Sequence, residues 1–168
     1  MNDIESARAI GILNRQFQLY LNAALSGSDL TYSECIFLIN IYSNEGINQE
    51  ELSVLLAIDK AATARSIKSL ESKGYITRKS SGENKKVKTL YIAEEGKQHK
   101  QSIKALFKKW DEFITEGMSK EEKEAASETV CRMADRASRL DLVAMKDSGK
   151  YRVVHAPKSA SLEGSHGH

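Results

Sequence analysis

Little in this sequence interrupts a helix, and little in it is suited to catalysis. Proline occurs once and glycine ten times in 168 residues, so long stretches run without the two residues that most disfavour helices. The two cysteines, Cys35 and Cys131, lie far apart, which is no disulfide framework and fits a reducing cytosol. No apolar run approaches the roughly 20 residues that span a bilayer. The N-terminus has neither the apolar stretch nor the small-residue cleavage site of a signal peptide. The expectation is a cytoplasmic protein with no membrane association. Three of the four histidines, His155, His166 and His168, fall in the tail and leave His99 alone. Neither a metal-ligand set nor a nucleophile–base pair can be assembled from what remains. No Gly-x-Ser-x-Gly, P-loop or dinucleotide fingerprint occurs. A non-enzyme is expected, with no catalytic residue, metal or cofactor.

What the sequence does have is an uneven charge. The net charge is only +2, but Lys60 to Lys88 holds nine basic side chains against two acidic ones. That segment carries +7 and leaves −5 for the rest of the chain. A basic block in an otherwise acidic protein marks a surface aimed at a polyanion, although a charge run can also be no more than a solvated face.

Hydrophobic residues make up 40% of the chain and charged ones 29%, the balance of a globular protein. Ile10, Leu13, Phe17, Tyr20, Leu21 and Ala24 recur at spacings of three and four, which predicts an amphipathic helix from Ile4 to Leu25. Thr31 and Glu34 form a capping box before a helix, Tyr32 to Tyr42, that is apolar on nearly every side and therefore central. Gly46 stands where a left-handed C-terminal cap is expected. Asn48 and Glu51 repeat the capping spacing and open a short helix with Leu52, Leu55 and Leu56. Asp59 caps a further helix, Lys60 to Lys73, stopped by Gly74, with Thr63, Ile67 and Leu70 inward. Tyr75 to Lys79 and Val87 to Ile92 then read as a β-hairpin around a turn-rich linker, Ser80 to Asn84. After Gly96 an apolar stripe of Ile103, Leu106, Phe107, Trp110, Phe113 and Ile114 marks another helix. A third capping box, Ser119 and Glu122, opens a last helix to about Leu142. Beyond Asp147 periodicity is lost, and Ser161 to His168 reads as an expression remnant.

Two short helices joined by a tight turn, the second basic and small-faced, follow the helix-turn-helix plan. The second helix must enter a major groove about 12 Å wide. Ala62 and Ala64 allow close approach and can touch thymine methyls. Arg65 can bond a guanine edge or a phosphate. Lys60, Lys68 and Ser69 complete that small or basic face. The hairpin places Lys79, Lys85, Lys86 and Lys88 near the adjacent backbone or minor groove.

With these residues in place the chain resembles the MarR family of bacterial regulators, from about Asn14 to Lys97 and in pattern through the last helix. Leu52, Ile58-Asp59-Lys60-Ala61, Arg65, Leu70-Glu71, Lys73-Gly74, Ile76 and Arg78 fill the places of the family's helix-turn-helix. The resemblance implies a mainly α fold with a small β-hairpin wing: a winged helix-turn-helix with N- and C-terminal dimerisation helices. It implies a homodimer on a pseudo-palindromic double-stranded DNA operator, usually a repressor relieved by a small-molecule effector or by oxidation. Arg78 joins the DNA-contact set on this basis. The expected organisation is a dimerisation helix over 1–30, a DNA-binding lobe over 31–96, dimerisation helices over 97–146 and a tail over 147–168. There are departures from the family pattern. The wing usually carries Asp-Arg-Arg, and here it is Asn84-Lys85-Lys86, which keeps charge but loses the bidentate fork. Thr63 stands where an aliphatic residue is usual, and Ala93 where threonine is usual.

An effector crevice of the kind the resemblance implies would draw on Arg15, Tyr20, Tyr32, Tyr42 and Trp110, although aromatics at helical spacing are more often packing residues. Two other readings compete with the DNA-binding regulator. A thiol-based redox sensor is disfavoured because the apolar neighbours Ile36 to Ile39 bury Cys35. A protein-interaction module that kept the fold and lost DNA binding is disfavoured by the +7 segment.

Overall fold

A computed structural model of the chain describes residues 2–80, 87–140, Met145 and Ser148. Helix α1 (Asp3–Ala24) starts at Asn2, whose side chain accepts from the Ile4 amide while Glu5 reaches back to the Asn2 amide. This capping box is a fourth one, outside the three expected. Helices α2 (Tyr32–Ser43) and α3 (Gln49–Leu55) open on the capping boxes of Thr31/Glu34 and Asn48/Glu51. Helix α4 (Lys60–Ser72) is capped by Asp59. Strands β1 (Ile76–Ser80) and β2 (Lys88–Ile92) pair antiparallel, with Ile76 opposite Ile92 and Ser80 opposite Lys88. Ser80 therefore ends a strand instead of opening the linker; the rest of that turn lies outside the described residues. Helices α5 (Glu94–Ile114) and α6 (Lys120–Ser138) follow, α6 behind the capping box of Ser119 and Glu122.

The protein divides into two units, Met1–Ser127 and Glu128–His168. The core of the first is built on α2, as its all-round apolar sequence requires: Cys35, Phe37, Leu38 and Ile41 are buried. Leu21 of α1, Leu52 of α3, Ile67 and Leu70 of α4, Leu90 of β2 and Ile103 of α5 close around it. On β2, Leu90 and Ile92 are buried while Lys88 is exposed and Thr89 and Tyr91 are half-buried. In the second unit the described part of α6 buries no residue.

Gly46 has a positive φ of +91°, but it does not cap α2, which ends on Asn44. Its amide donates to the Leu90 carbonyl at 2.8 Å, and the Leu90 amide donates to the Ile47 carbonyl at 2.9 Å. With the bridge between Asn48 and Thr89, this stretch runs along the free edge of β2 and ties the hairpin to the start of α3. A single bridge has no period to read in a sequence.

Helix α5 begins on Ala93, which has extended backbone at φ −82°, ψ 172° and makes no side-chain cap bond. The geometry suits a hydroxyl, and Ala93→Thr is expected to stabilise the fold by about 1 kcal/mol. That corresponds to a rise in melting temperature of roughly 3 °C for a chain of this size. A melt with an unchanged or lower midpoint would count against this reading of the α5 start.

Candidate nucleic-acid interface

The α3–α4 corner is fixed at three points by local chemistry. Helix α3 ends with the Ala57 amide donating to the Val54 carbonyl and the Ile58 amide to the Ser53 carbonyl. Ala57 takes the left-handed conformation at φ 51°, a place usually given to glycine. Asp59 then accepts from the amides of Ala61 and Ala62 at 3.0 and 2.9 Å. Thr63 is fully buried, and its hydroxyl donates back to the Asp59 carbonyl at 3.0 Å. This bond explains how a hydroxyl is accommodated where an aliphatic side chain is usual. At the other end Gly74 (φ +75°) closes α4 in a Schellman motif, with Gly74 bonded to Glu71 and Tyr75 to Leu70.

With Thr63, Ile67 and Leu70 buried, helical geometry turns Lys60, Ala61, Arg65 and Lys68 out to solvent; Ala62 and Ala64 are half-buried beside them. The expected contact residues Lys60, Ala62, Ala64, Arg65 and Lys68 are thus brought together on one helix.

Ser69 is not among them. It turns toward α2, and its hydroxyl donates to the Glu34 carboxylate at 2.5 Å. Glu34 was legible only as a local cap. It is 4% exposed and also accepts from Lys73 Nζ at 2.8 Å and from the amide and hydroxyl of Thr31 at 2.8 and 2.9 Å. One carboxylate therefore joins the start of α2 to the end of α4. Lys73 Nζ also donates to the Asp29 carbonyl, and Tyr75 Oη to Asp29 Oδ1 at 2.6 Å.

Burial alone would push the Glu34 carboxyl up; hydrogen bonds from Lys73, Ser69 and Thr31 outweigh it and hold the group at about 2, against 4.5 ordinarily. The folded value lies below the unfolded one. Its stabilisation is therefore complete above about pH 4.5 and lost as the pH falls toward 2. The contribution is about 3 kcal/mol. Urea unfolding of wild type and Glu34→Gln at pH 7, 5 and 3 should show the wild type losing its advantage along this acid limb. An advantage that did not change with pH would refute the linkage.

On the wing, Lys88 is exposed, and Lys79 Nζ sits 4.6 Å from the Tyr91 ring centroid in a cation–π contact. Lys85 and Lys86 lie outside the described residues. Arg78 is largely committed to the fold: its Nε donates to Glu71 at 2.9 Å, which joins β1 to α4, and its Nη1 reaches Gln49 at 3.5 Å. Between the wing and the starts of α3 and α4 lies an open polar cleft of about 470 Å³. Lys60, Arg78 and Lys88 line it together with Glu50 and Gln49, neither of which was among the expected contacts.

The residues expected to line an effector crevice do not converge. Tyr20 and Trp110 do meet, with ring centroids 5.5 Å apart, and line a cleft of about 420 Å³ with Gln16, Lys109 and Phe113. Tyr20 Oη donates to the Leu106 carbonyl at 2.9 Å. Tyr32 packs on the far side of Phe17, at 6.2 Å, in the same aromatic cluster. Tyr42 is a core residue: it is buried, and its hydroxyl donates to the Gly96 carbonyl. Arg15 is exposed on α1. Burial pushes the Cys35 thiol up to about 11, which leaves little thiolate to react. Cys131 is exposed on α6. Among the described residues no group of three His, Cys, Asp or Glu side chains is placed to hold a metal ion, and no helix is long and apolar enough to cross a membrane.

Helix, turn, solvent-facing helix and β-hairpin wing in this order define a winged helix-turn-helix protein. The family model described as MarR family matches residues 28–86. The HTH-type transcriptional regulator YybA of Bacillus subtilis is 37% identical over 76% of this chain and 83% of its own length. Among solved structures, the transcriptional regulator SlyA is 30% identical with a TM-score of 0.74, over 82% of this chain and 95% of that one. A putative MarR family regulator from Listeria monocytogenes, solved with a 26mer DNA, is 28% identical with a TM-score of 0.78, over 92% of this chain and 100% of that one. The chain belongs to the MarR family and is a DNA-binding transcriptional regulator.

Proposed function

We propose that the protein acts by binding and not by catalysis, as a cytoplasmic repressor that grips a pseudo-palindromic operator as a homodimer. The observation that carries this is the exposed face of α4. Lys60, Arg65 and Lys68 point outward from a helix whose other face is buried and whose two ends are fixed by Asp59 and by Glu34. A reading helix has to be rigid and short-sided, with a few long cationic side chains, and α4 is all three. The lobe over 31–96 presents it; Lys79, Lys85, Lys86 and Lys88 extend the contact along the backbone. The Listeria relative solved with DNA supports the same use of the fold. Anisotropy with a labelled mixed-sequence duplex at low salt tests the reading, followed by selection of bound sites from random DNA. Absence of binding to any duplex would overturn it in favour of a protein-interaction module.

Dimerisation falls to α1, α5 and α6, which leave Ile10, Leu13, Phe113, Ile114, Val130 and Met133 exposed. Phe113 is the clearest case, 71% exposed near the end of α5. Burying two copies in a symmetric interface gives Phe113→Ala an expected loss of tenfold or more in dimer affinity. Sedimentation equilibrium checks this, and a wild type that is monomeric at micromolar concentration would refute it. A small-molecule effector is assigned to the Tyr20–Trp110 cleft. Trp110 is the chain's one tryptophan, so its emission reports occupancy.

A further inference from the structure

The polar cleft beside α4 holds one residue of the wrong sign for its place, Glu50. Its partner Lys60 is the first residue of α4, where a reading helix meets the groove. The Lys60 ammonium is already engaged: Nζ lies 2.5 Å from Glu50 Oε1, across the α3–α4 corner. The two side chains are 75% and 70% exposed. An ion pair that exposed adds little to stability, about 0–1 kcal/mol, so holding the corner together does not explain it. The corner is already fixed by Asp59 and by the Schellman closure of α3. Opposite the pair, Arg78 and Lys88 line the same cleft, in which Glu50 is the one carboxylate among three cations of the described residues. Hydrogen bonding and charge from Lys60 hold the Glu50 carboxyl below its ordinary value, so it stays ionised wherever the protein would meet DNA.

We propose that Glu50 is a built-in competitor for the DNA backbone: its carboxylate occupies Lys60 where a phosphate would, and a phosphate entering the cleft must displace it. The proposal rests on the DNA-binding reading of α4 and the wing. A carboxylate and a phosphate offer an ammonium the same charge-assisted bond, so exchange gains little at Lys60 and leaves an unpaired anion beside the phosphate. Glu50 thus lowers the sequence-independent part of binding, the part set by phosphate contacts. It sets how weakly the protein holds DNA of arbitrary sequence, and how steeply that hold depends on salt.

The test is a salt titration of a labelled mixed-sequence duplex, about three helical turns long, with the full-length wild type, Glu50→Gln, Lys60→Gln and the double variant. Glu50→Gln changes one exposed side chain and should melt as the wild type does. It is expected to bind the duplex roughly three- to tenfold more tightly at about 0.1 M salt. Its slope of log K against log salt should be steeper by about 0.9 for each additional phosphate engaged. In the Lys60→Gln background the same change should tighten binding less than about twofold, because no ammonium is left to release. If Glu50→Gln binds no more tightly than the wild type, the inference is wrong while the DNA-binding reading stands. An equal tightening with and without Lys60 would also overturn it, since Glu50 would then act as a bare charge. If the wild type binds no duplex at low salt, the DNA-binding reading itself fails.

Discussion

Gly96→Ala should destabilise the protein by roughly 3 kcal/mol, although glycine to alanine inside a helix ordinarily gains about 0.5–1 kcal/mol. The sign reverses because of one close approach. A Cβ on Gly96 would stand 2.1 Å from the Tyr75 carbonyl oxygen and 3.1 Å from Ile92 Cγ2. No side-chain rotation relieves the first of these, since the atom it meets is backbone. That carbonyl also accepts the Ala93 amide at 3.0 Å, and the Gly96 carbonyl accepts the Tyr42 hydroxyl. Moving α5 outward by the ångström or so required would loosen both bonds. Overpacking costs about 1–3 kcal/mol, and a buried polar group left without its bond costs about 1–3 kcal/mol more; together they exceed the propensity gain. Against a total stability of about 5–15 kcal/mol the loss is large. Urea unfolding measures it directly, and a Gly96→Ala protein as stable as wild type would show that α5 can move off the hairpin at little cost.

Gly96 also shows where the sequence stopped being informative. It was legible as a boundary after which helical periodicity resumes; in fact it lies within the first turn of α5, which starts at Glu94. Its necessity comes from Tyr75, 21 residues earlier in the chain, and no local pattern records such an approach. The same division runs through the interface. The capping boxes of Thr31/Glu34, Asn48/Glu51 and Ser119/Glu122, the Asp59 cap and the inward set of Thr63, Ile67 and Leu70 could all be read, because each depends on residues within a turn or two. Ser69 was misplaced for the opposite reason. A small polar residue near basic ones looks solvent-facing until α2 brings Glu34 against it from 35 positions away. Arg78 fits the family pattern, yet Glu71 and Gln49 hold most of its guanidinium. Tyr42 looked available to a ligand, and the all-round burial of α2 makes it a core residue instead. Helix existence and facing are local properties; the partners of long polar side chains are set by tertiary packing.

Arg65→Ala is expected to lower operator affinity at least tenfold while leaving the fold and the dimer intact. The residue stands exposed on α4, two positions before the buried Ile67, so truncation opens no cavity and leaves the core untouched. Its neighbours Ala61, Ala62 and Ala64 are too short to hold it off a groove wall. Nothing else on this part of the helix matches its reach: Lys60 is paired with Glu50, Ser69 with Glu34, and Lys68 lies a turn further along. A guanidinium there can make a bidentate bond to a guanine edge or bond a phosphate. Removing a bidentate base contact costs about 1–3 kcal/mol. A symmetric dimer is affected in both half-sites, whose centres would lie about 34 Å apart. Even the lower end of that range, taken twice, exceeds tenfold. The two roles separate by salt and by sequence. If Arg65 reads a base, its removal should relax preference at one position per half-site and leave the salt slope unchanged. If it holds a phosphate, its removal should weaken binding to all duplexes alike and reduce the slope by about one. The measurement is a titration of the selected operator and of a mixed-sequence duplex, with sedimentation and thermal melting as controls. Wild-type operator affinity in a folded, dimeric Arg65→Ala protein would be incompatible with α4 as the reading helix.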